Sequence, residues 1–128
     1  MAVENPPPGY AGVTAYIAVK DADAAIDWYR HVLGAELAYR MDWQGKVGHA
    51  ELKIGGGWLM LSDEFEGVNA APPTLGGTTA GLMVYVPDAD ATYAKALAAG
   101  ATERRAPVTE PWGDRKGDFI DPFGHRWS

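Results

Sequence analysis

The feature that most constrains this chain is that it repeats itself. Val19-Lys20-Asp21-Ala22-Asp23-Ala24 returns 67 residues later as Val86-Pro87-Asp88-Ala89-Asp90-Ala91. Gly34-Ala35 returns as Gly100-Ala101. Gly48-His49 pairs with Gly117-Asp118, and Gly55 and Trp58 pair with Gly124 and Trp127, at an offset of 69. A tandem duplication predicts two similar half-domains about a pseudo-twofold axis, with a cleft between them where a ligand can sit. At 128 residues the chain is one domain of two halves, because a half of about 60 residues buries too little surface to be stable alone.

Each half reads as β-α-β-β-β. Val13 to Val19 is a short strand, and Asp21 or Asp23 offers an N-cap carboxylate. Ala22, Ala25, Ile26, Tyr29 and Leu33 recur at helical spacing, and Gly34 closes the helix. Strands are expected over Glu36–Asp42, Gly48–Ile54 and Trp58–Leu61, the last two joined by Gly55-Gly56-Gly57. The second half repeats the order: Leu82–Val86, an Asp88- or Asp90-capped helix with Ala89, Tyr93, Ala96 and Leu97 as its stripe, then Thr102–Arg105, Arg115–Ile120 and a strand from Arg126. Alternation puts Ala50, Leu52 and Ile54 on the helix side, and His49, Glu51 and Lys53 on the concave side or toward water. The expected fold is α+β, with the tandem modules forming one cupped mixed sheet and helices on its outer face. Residues 1–11, with their triple proline, read as an extended arm. Residues 12–62 and 80–128 are the modules and 63–79 a linker long enough to act as a binding loop. By the repeat, Trp127-Ser128 matches Trp58-Leu59, so the last strand stops midway; either the natural protein is longer or a partner completes the edge.

The net charge of −6 and the scattered basic residues argue against nucleic acid. No apolar run approaches a membrane span. The absence of cysteine fits a reducing cytoplasm. The N-terminus lacks the basic and apolar regions of a signal peptide, so the expected location is cytoplasmic.

The run Val19–Ala35, the stretch Trp112-Gly113-Asp114-Arg115, and Asp121-Pro122-Phe123-Gly124-His125-Arg126-Trp127 resemble the vicinal oxygen chelate superfamily, which holds glyoxalase I, bleomycin-resistance proteins and extradiol dioxygenases. His49-Ala50-Glu51-Leu52 with Leu59–Glu64 resembles an uncharacterised glyoxalase/bleomycin-resistance-like subgroup. The resemblance implies a homodimer. It also implies a divalent metal held by four side chains, at positions that fall here on Thr14, Glu51, Gly81 and Ser128. Of these only Glu51 binds a metal well, and neither 11–20 nor 80–87 contains a His, Asp or Glu. One carboxylate with His49 nearby would not retain a metal, so no cofactor is expected.

Two functions follow. The first is a metal-free small-molecule binder of the bleomycin-resistance type, taking an aromatic ligand, neutral or cationic, in the inter-module cleft, lined by Trp43, His49, Glu51, Trp58, Trp112, Arg115 and Asp118. Tryptophan faces stack on flat rings and attract cations, although each Trp can equally be core packing. The second is a metal-dependent lyase or dioxygenase whose ligands a partner chain or residues past Ser128 complete. Its weak catalytic candidates are His49, Glu51 and Asp118, with Asp114 and His125 also titratable. His49 and Asp118, as mates in the repeat, are expected to approach each other as a carboxylate-oriented base. Arg115 suits an anionic ligand, which leaves ligand charge open. His125 and Asp121 fit turn roles.

Overall fold

The computed structural model describes residues 4–10 and 12–128. Residues 1–3 and 11 of the expected arm lie outside them. Module 1 runs β1 (Ala15–Val19), α1 (Ala22–Leu33), β2 (Glu36–Trp43), β3 (Lys46–Ile54) and β4 (Gly57–Asp63). A short helix α2 (Pro72–Leu75) sits in the linker. Module 2 runs β5 (Gly81–Leu82), α3 (Ala89–Ala98), β6 (Thr102–Thr109), β7 (Arg115–Ile120) and β8 (Arg126–Trp127).

The α+β class and the doubled module are as expected. The single cupped sheet is instead two four-stranded mixed sheets, ordered β1-β4-β3-β2 and β5-β8-β7-β6. The expected strand Leu82–Val86 shrinks to Gly81–Leu82 because β8 pairs with it only over Arg126–Trp127, leaving 83–86 with no ladder of regular strand length.

Both helices start on the first aspartate of their repeat. Asp21 accepts the Ala24 N–H at 3.1 Å and Asp88 the Ala91 N–H at 3.0 Å. Gly34 closes α1 in the left-handed conformation, φ 67°. Helix α1 buries Ala22, Ala25, Ile26, Trp28, Tyr29, Val32 and Leu33. These pack with Ala50, Leu52 and Ile54 of β3 and with Tyr93, Phe119 and Trp127 of module 2 in one hydrophobic core. Three side chains tie the modules together. Trp28 Nε1 donates to the Ala99 carbonyl at 2.8 Å, Tyr29 Oη donates to Asp121 Oδ2 at 2.5 Å, and His125 Nε2 donates to the Ala18 carbonyl at 2.9 Å. His125 and Asp121 therefore hold structure, as turn residues do.

The ladders correct the alignment of the repeat. Leu52 pairs with Leu59, and Leu59 with Ala15; Phe119 pairs with Trp127, and Trp127 with Leu82. The structural mate of Leu59 is thus Trp127, and the mate of Trp58 is Arg126. On β3 and β7 the offset is 67, so Glu51, not His49, is the mate of Asp118, and His49 is the mate of Lys116. Phe119 and its partner Trp127 stand one residue further apart in sequence than Leu52 and its partner Leu59, which shifts the offset to 68 on the last strand.

Candidate functional site

On β3 the pleat separates faces as alternation demands. Ala50 and Leu52 are fully buried beneath α1, and His49 and Glu51 point to the opposite side. There they meet Tyr16 from β1, Tyr39 from β2 and Trp58 from β4. Tyr16 is on this face because it precedes buried Ile17 in a strand; it is 51% exposed. Its hydroxyl donates to His49 Nδ1 at 2.8 Å, and the His49 ring donates from Nε2 to Glu51 Oε2 at 2.8 Å. The rings of Tyr16 and Tyr39 lie 5.4 and 6.0 Å from that of His49. The arm closes the cluster. Tyr10 stacks on Trp58 with centroids 4.3 Å apart at 20°, its hydroxyl donates to Glu51 Oε1, and Trp58 Nε1 donates to the Gly9 carbonyl at 2.9 Å.

Both Glu51 oxygens are therefore hydrogen-bonded. The Tyr10 hydroxyl first, then the His49 ring, hold its carboxyl below the ordinary range, against a smaller opposing effect of burial. Tyr10 moves the other way, its phenol raised mainly by the bond to Glu51. Chemically this is a carboxylate-oriented imidazole, a general-base arrangement. Its orienting carboxylate is Glu51 rather than Asp118, and the Nδ1 that would take a proton already accepts the Tyr16 hydroxyl.

The other candidates lie apart. Asp118 accepts the Ser128 hydroxyl at 2.5 Å and lies 4.0 Å from Lys116 Nζ, in a basin of about 310 Å³ shared with Arg104, Arg105 and Arg126. Arg115 binds Asp90 through two nitrogens at 2.6 and 3.0 Å, so its fork is already occupied. Trp112, 67% exposed, donates to Asp114 at 3.2 Å. Trp112 and Arg115 border an apolar cavity of about 270 Å³ with Met83, Tyr85 and Phe119. That cavity lies between 83–86 and β7, with Lys116, Gly117 and Ser128 also in its lining. Trp43 lines a separate depression with Phe65 and Val68. The crevice between modules is about 100 Å³, and of the candidates only Trp58 reaches it. The seven residues thus do not line one inter-module cleft. His49, Glu51 and Trp58 form one cluster, to which sequence reasoning failed to add Tyr10, Tyr16 and Tyr39. The alternation of Tyr16 with Ile17 and Val19 was a signal for one of them; Tyr10 had none beyond following a stiff proline arm.

The donor set does not fit a metal. The four implied positions supply no imidazole, and although Thr14 and Gly81 are mates at the 67-residue offset, the mates of Glu51 and Ser128 are Asp118 and Met60, so the set is not symmetric. Among the described residues no three His, Cys, Asp or Glu side chains come together as a metal site. No helix among them is long and apolar enough to cross a membrane.

Comparison with known proteins agrees with this architecture. An uncharacterised protein of Mycobacterium tuberculosis is 40% identical over 121 residues, covering 91% of this chain and 71% of its own. The crystal structure of TioX from Micromonospora sp. ML1 superposes with a TM-score of 0.70 at 33% identity, covering 92% of this chain and 95% of that one. A glyoxalase I mutant from Zea mays shares the fold, with a TM-score of 0.69 at 20% identity over 89% of this chain and 42% of its own. Residues 10–128 match the Glyoxalase/Bleomycin resistance protein/Dioxygenase superfamily.

Proposed function

The chain belongs to the glyoxalase/bleomycin resistance protein/dioxygenase superfamily, and from that premise we propose that it is a metal-free small-molecule-binding protein that seats an aromatic ligand on the inner face of module 1. The observation that carries this is that one phenol, Tyr10, both stacks on Trp58 and donates to Glu51, beside Tyr16, Tyr39 and His49. A flat ring gains stacking on Trp58, and a positive charge or N–H on that ring gains the Glu51 carboxylate. Catalysis by a bound metal is the less supported reading, because Glu51 alone of the implied positions offers a good donor.

The same proposal takes the protein as a cytoplasmic homodimer. Met83 and Tyr85, 61% and 76% exposed beside Trp112, are the apolar surface that a second copy would cover. Sedimentation velocity reads this directly, and a monomer at micromolar concentration would remove it.

The test is elemental analysis after incubation with Zn, Ni, Mn and Fe(II), followed by tryptophan-quench titration with cationic aromatic compounds. Metal well below stoichiometry is expected, with binding that Trp58→Ala and Glu51→Ala each weaken about tenfold, as one lost charged hydrogen bond or stack predicts. Stoichiometric metal would put the lyase or dioxygenase reading first. Binding unchanged by Glu51→Ala would remove the module-1 face as the site.

A further inference from the structure

The inner face of module 1 already holds an aromatic ring. Tyr10 lies on Trp58 at 4.3 Å and nearly parallel, with its hydroxyl on Glu51 Oε1. Its backbone neighbour Gly9 is held by Trp58 Nε1 at 2.9 Å. Glu51 is held from behind by His49, and His49 by Tyr16. The receptor side of this arrangement is built from strands β1, β3 and β4. The occupant comes from an arm that belongs to no strand or helix. A tyrosine side chain is a para-substituted phenol, so the contacts it makes describe the chemistry of whatever replaces it.

Resting on the reading of this face as a binding site, we infer that Tyr10 is a built-in occupant and that the ligand is a planar aromatic carrying an O–H or N–H donor about one ring-length from its stacked face, bound by displacing the arm. The stack on Trp58 selects flatness, because offset parallel rings gain area and quadrupole contact together. Glu51 selects the donor, because an ionised carboxylate is acceptor-only and loses most when a ligand offers it nothing. His49 contributes by fixing the carboxylate with its Nε2–H, leaving Oε1 for the incoming donor. The ligand and Tyr10 cannot occupy the face together, so the apparent affinity is the intrinsic affinity reduced by the fraction of molecules with the arm undocked. The chain then screens out weak aromatic ligands that cannot outcompete its own phenol.

The experiment titrates the full chain, Tyr10→Ala and Tyr10→Phe with p-cresol, benzamidine and toluene, read by ligand-observed NMR and by tryptophan fluorescence. Tyr10→Ala should bind p-cresol at least tenfold more tightly than the parent chain, with toluene at least tenfold weaker than p-cresol in the same variant. Tyr10→Phe, which keeps the stack and loses the donor, should fall between. Benzamidine binding more tightly than p-cresol assigns a cationic N–H donor, and the reverse order a neutral hydroxyl; either order supports the inference. Equal affinity of the parent chain and Tyr10→Ala for p-cresol overturns it, and so does equal affinity of toluene and p-cresol. If those equalities hold while Trp58→Ala still abolishes binding, the face is a binding site without a built-in occupant. If no probe binds any of the three proteins, the binding-site reading fails with it.

Discussion

Tyr29→Phe isolates one atom that joins the two modules. Tyr29 is fully buried on α1, and its hydroxyl donates to Asp121 Oδ2 at 2.5 Å in the β7–β8 connection of module 2. The same oxygen accepts Trp127 Nε1 at 2.9 Å, and Oδ1 accepts the Phe123 and His125 N–H groups, each at 2.9 Å. Asp121 is 3% exposed, so four donors replace its lost water. Burial and the neighbouring Asp121 raise the Tyr29 phenol well above its ordinary range, so it stays a donor at all working pH. Phenylalanine keeps the ring and its edge contacts with Trp28 and Phe123, so no cavity term enters. What is lost is one hydrogen bond to a carboxylate, worth about 1.5–3 kcal/mol, and Asp121 keeps three partners. The expected loss is about 2 kcal/mol, which for a domain of this size lowers Tm by roughly 7 °C. Urea unfolding followed by tryptophan fluorescence measures it, with the m-value unchanged. In an Asp121→Asn background the same substitution should cost much less, because the pair is coupled. A loss under about 0.5 kcal/mol, or one equally large in both backgrounds, would refute the account of Asp121 as the joint between modules.

Three further outcomes follow from packing and charge. Gly117→Ala would place a Cβ 2.9 Å from Tyr93 Cδ1 and 3.0 Å from Pro107 Cγ, so thermal unfolding should show a loss of about 1–3 kcal/mol from overpacking. Tyr93, whose buried hydroxyl meets no partner at hydrogen-bond geometry and whose pKa burial first, then Glu103, pushes up to about 12, should be replaced by Phe with a stability change under about 1 kcal/mol, read by thermal unfolding. Glu64 is bonded to Lys20, the Ala71 N–H and Thr74, which lower its pKa to about 2; a lowered carboxyl stabilises the fold above its ordinary pKa, and that contribution is lost as pH falls toward about 2. Glu64→Gln should therefore flatten the acid limb of the stability curve between pH 4.5 and 2, and an unchanged limb would remove Glu64 as the anchor of the linker.

The sequence made the framework legible where one residue's chemistry acts on its own neighbours. Asp21 and Asp88 cap helices within one turn, Gly34 ends one, and the alternation of Ala50, Leu52 and Ile54 against His49 and Glu51 sorts β3 into two faces. It misled where an answer depended on counting across a connection. The likeness of Gly48-His49 to Gly117-Asp118 is fortuitous, because the β7–β8 connection carries its extra residue after Asp118, and only the ladders show that Glu51 is the mate of Asp118. The candidate site was half legible for the same reason. His49, Glu51 and Trp58 carry recognisable chemistry, while Tyr10 reaches them from an arm whose course no periodicity encodes. Arg115 looked free for an anion until the fold brought Asp90 of α3 against it.

The divergence of the two inner faces supports the proposal that module 1 is the half that binds. At matched positions module 1 has Tyr16, His49, Glu51, Trp58 and Met60 where module 2 has Met83, Lys116, Asp118, Arg126 and Ser128. Both faces keep a carboxylate at the same place, so the difference lies in what surrounds it. Glu51 is bonded to a phenol and an imidazole and faces a stacking ring. Asp118 is bonded to Ser128, approached by Lys116, and has a cation where Trp58 would be, so its field is cancelled locally and no ring is offered. On the proposed reading, a ligand that needs both a stacking ring and a carboxylate acceptor is served by module 1, where Glu51 and Trp58 lie against the same phenol. Glu51→Gln should therefore weaken an aromatic donor ligand by about tenfold or more, the worth of one charged hydrogen bond, and Asp118→Asn should leave it unchanged. Calorimetric titration of both variants with the same compound decides it. Equal losses would mean that the ligand spans both faces, and the site would then belong to the pair of modules rather than to the first.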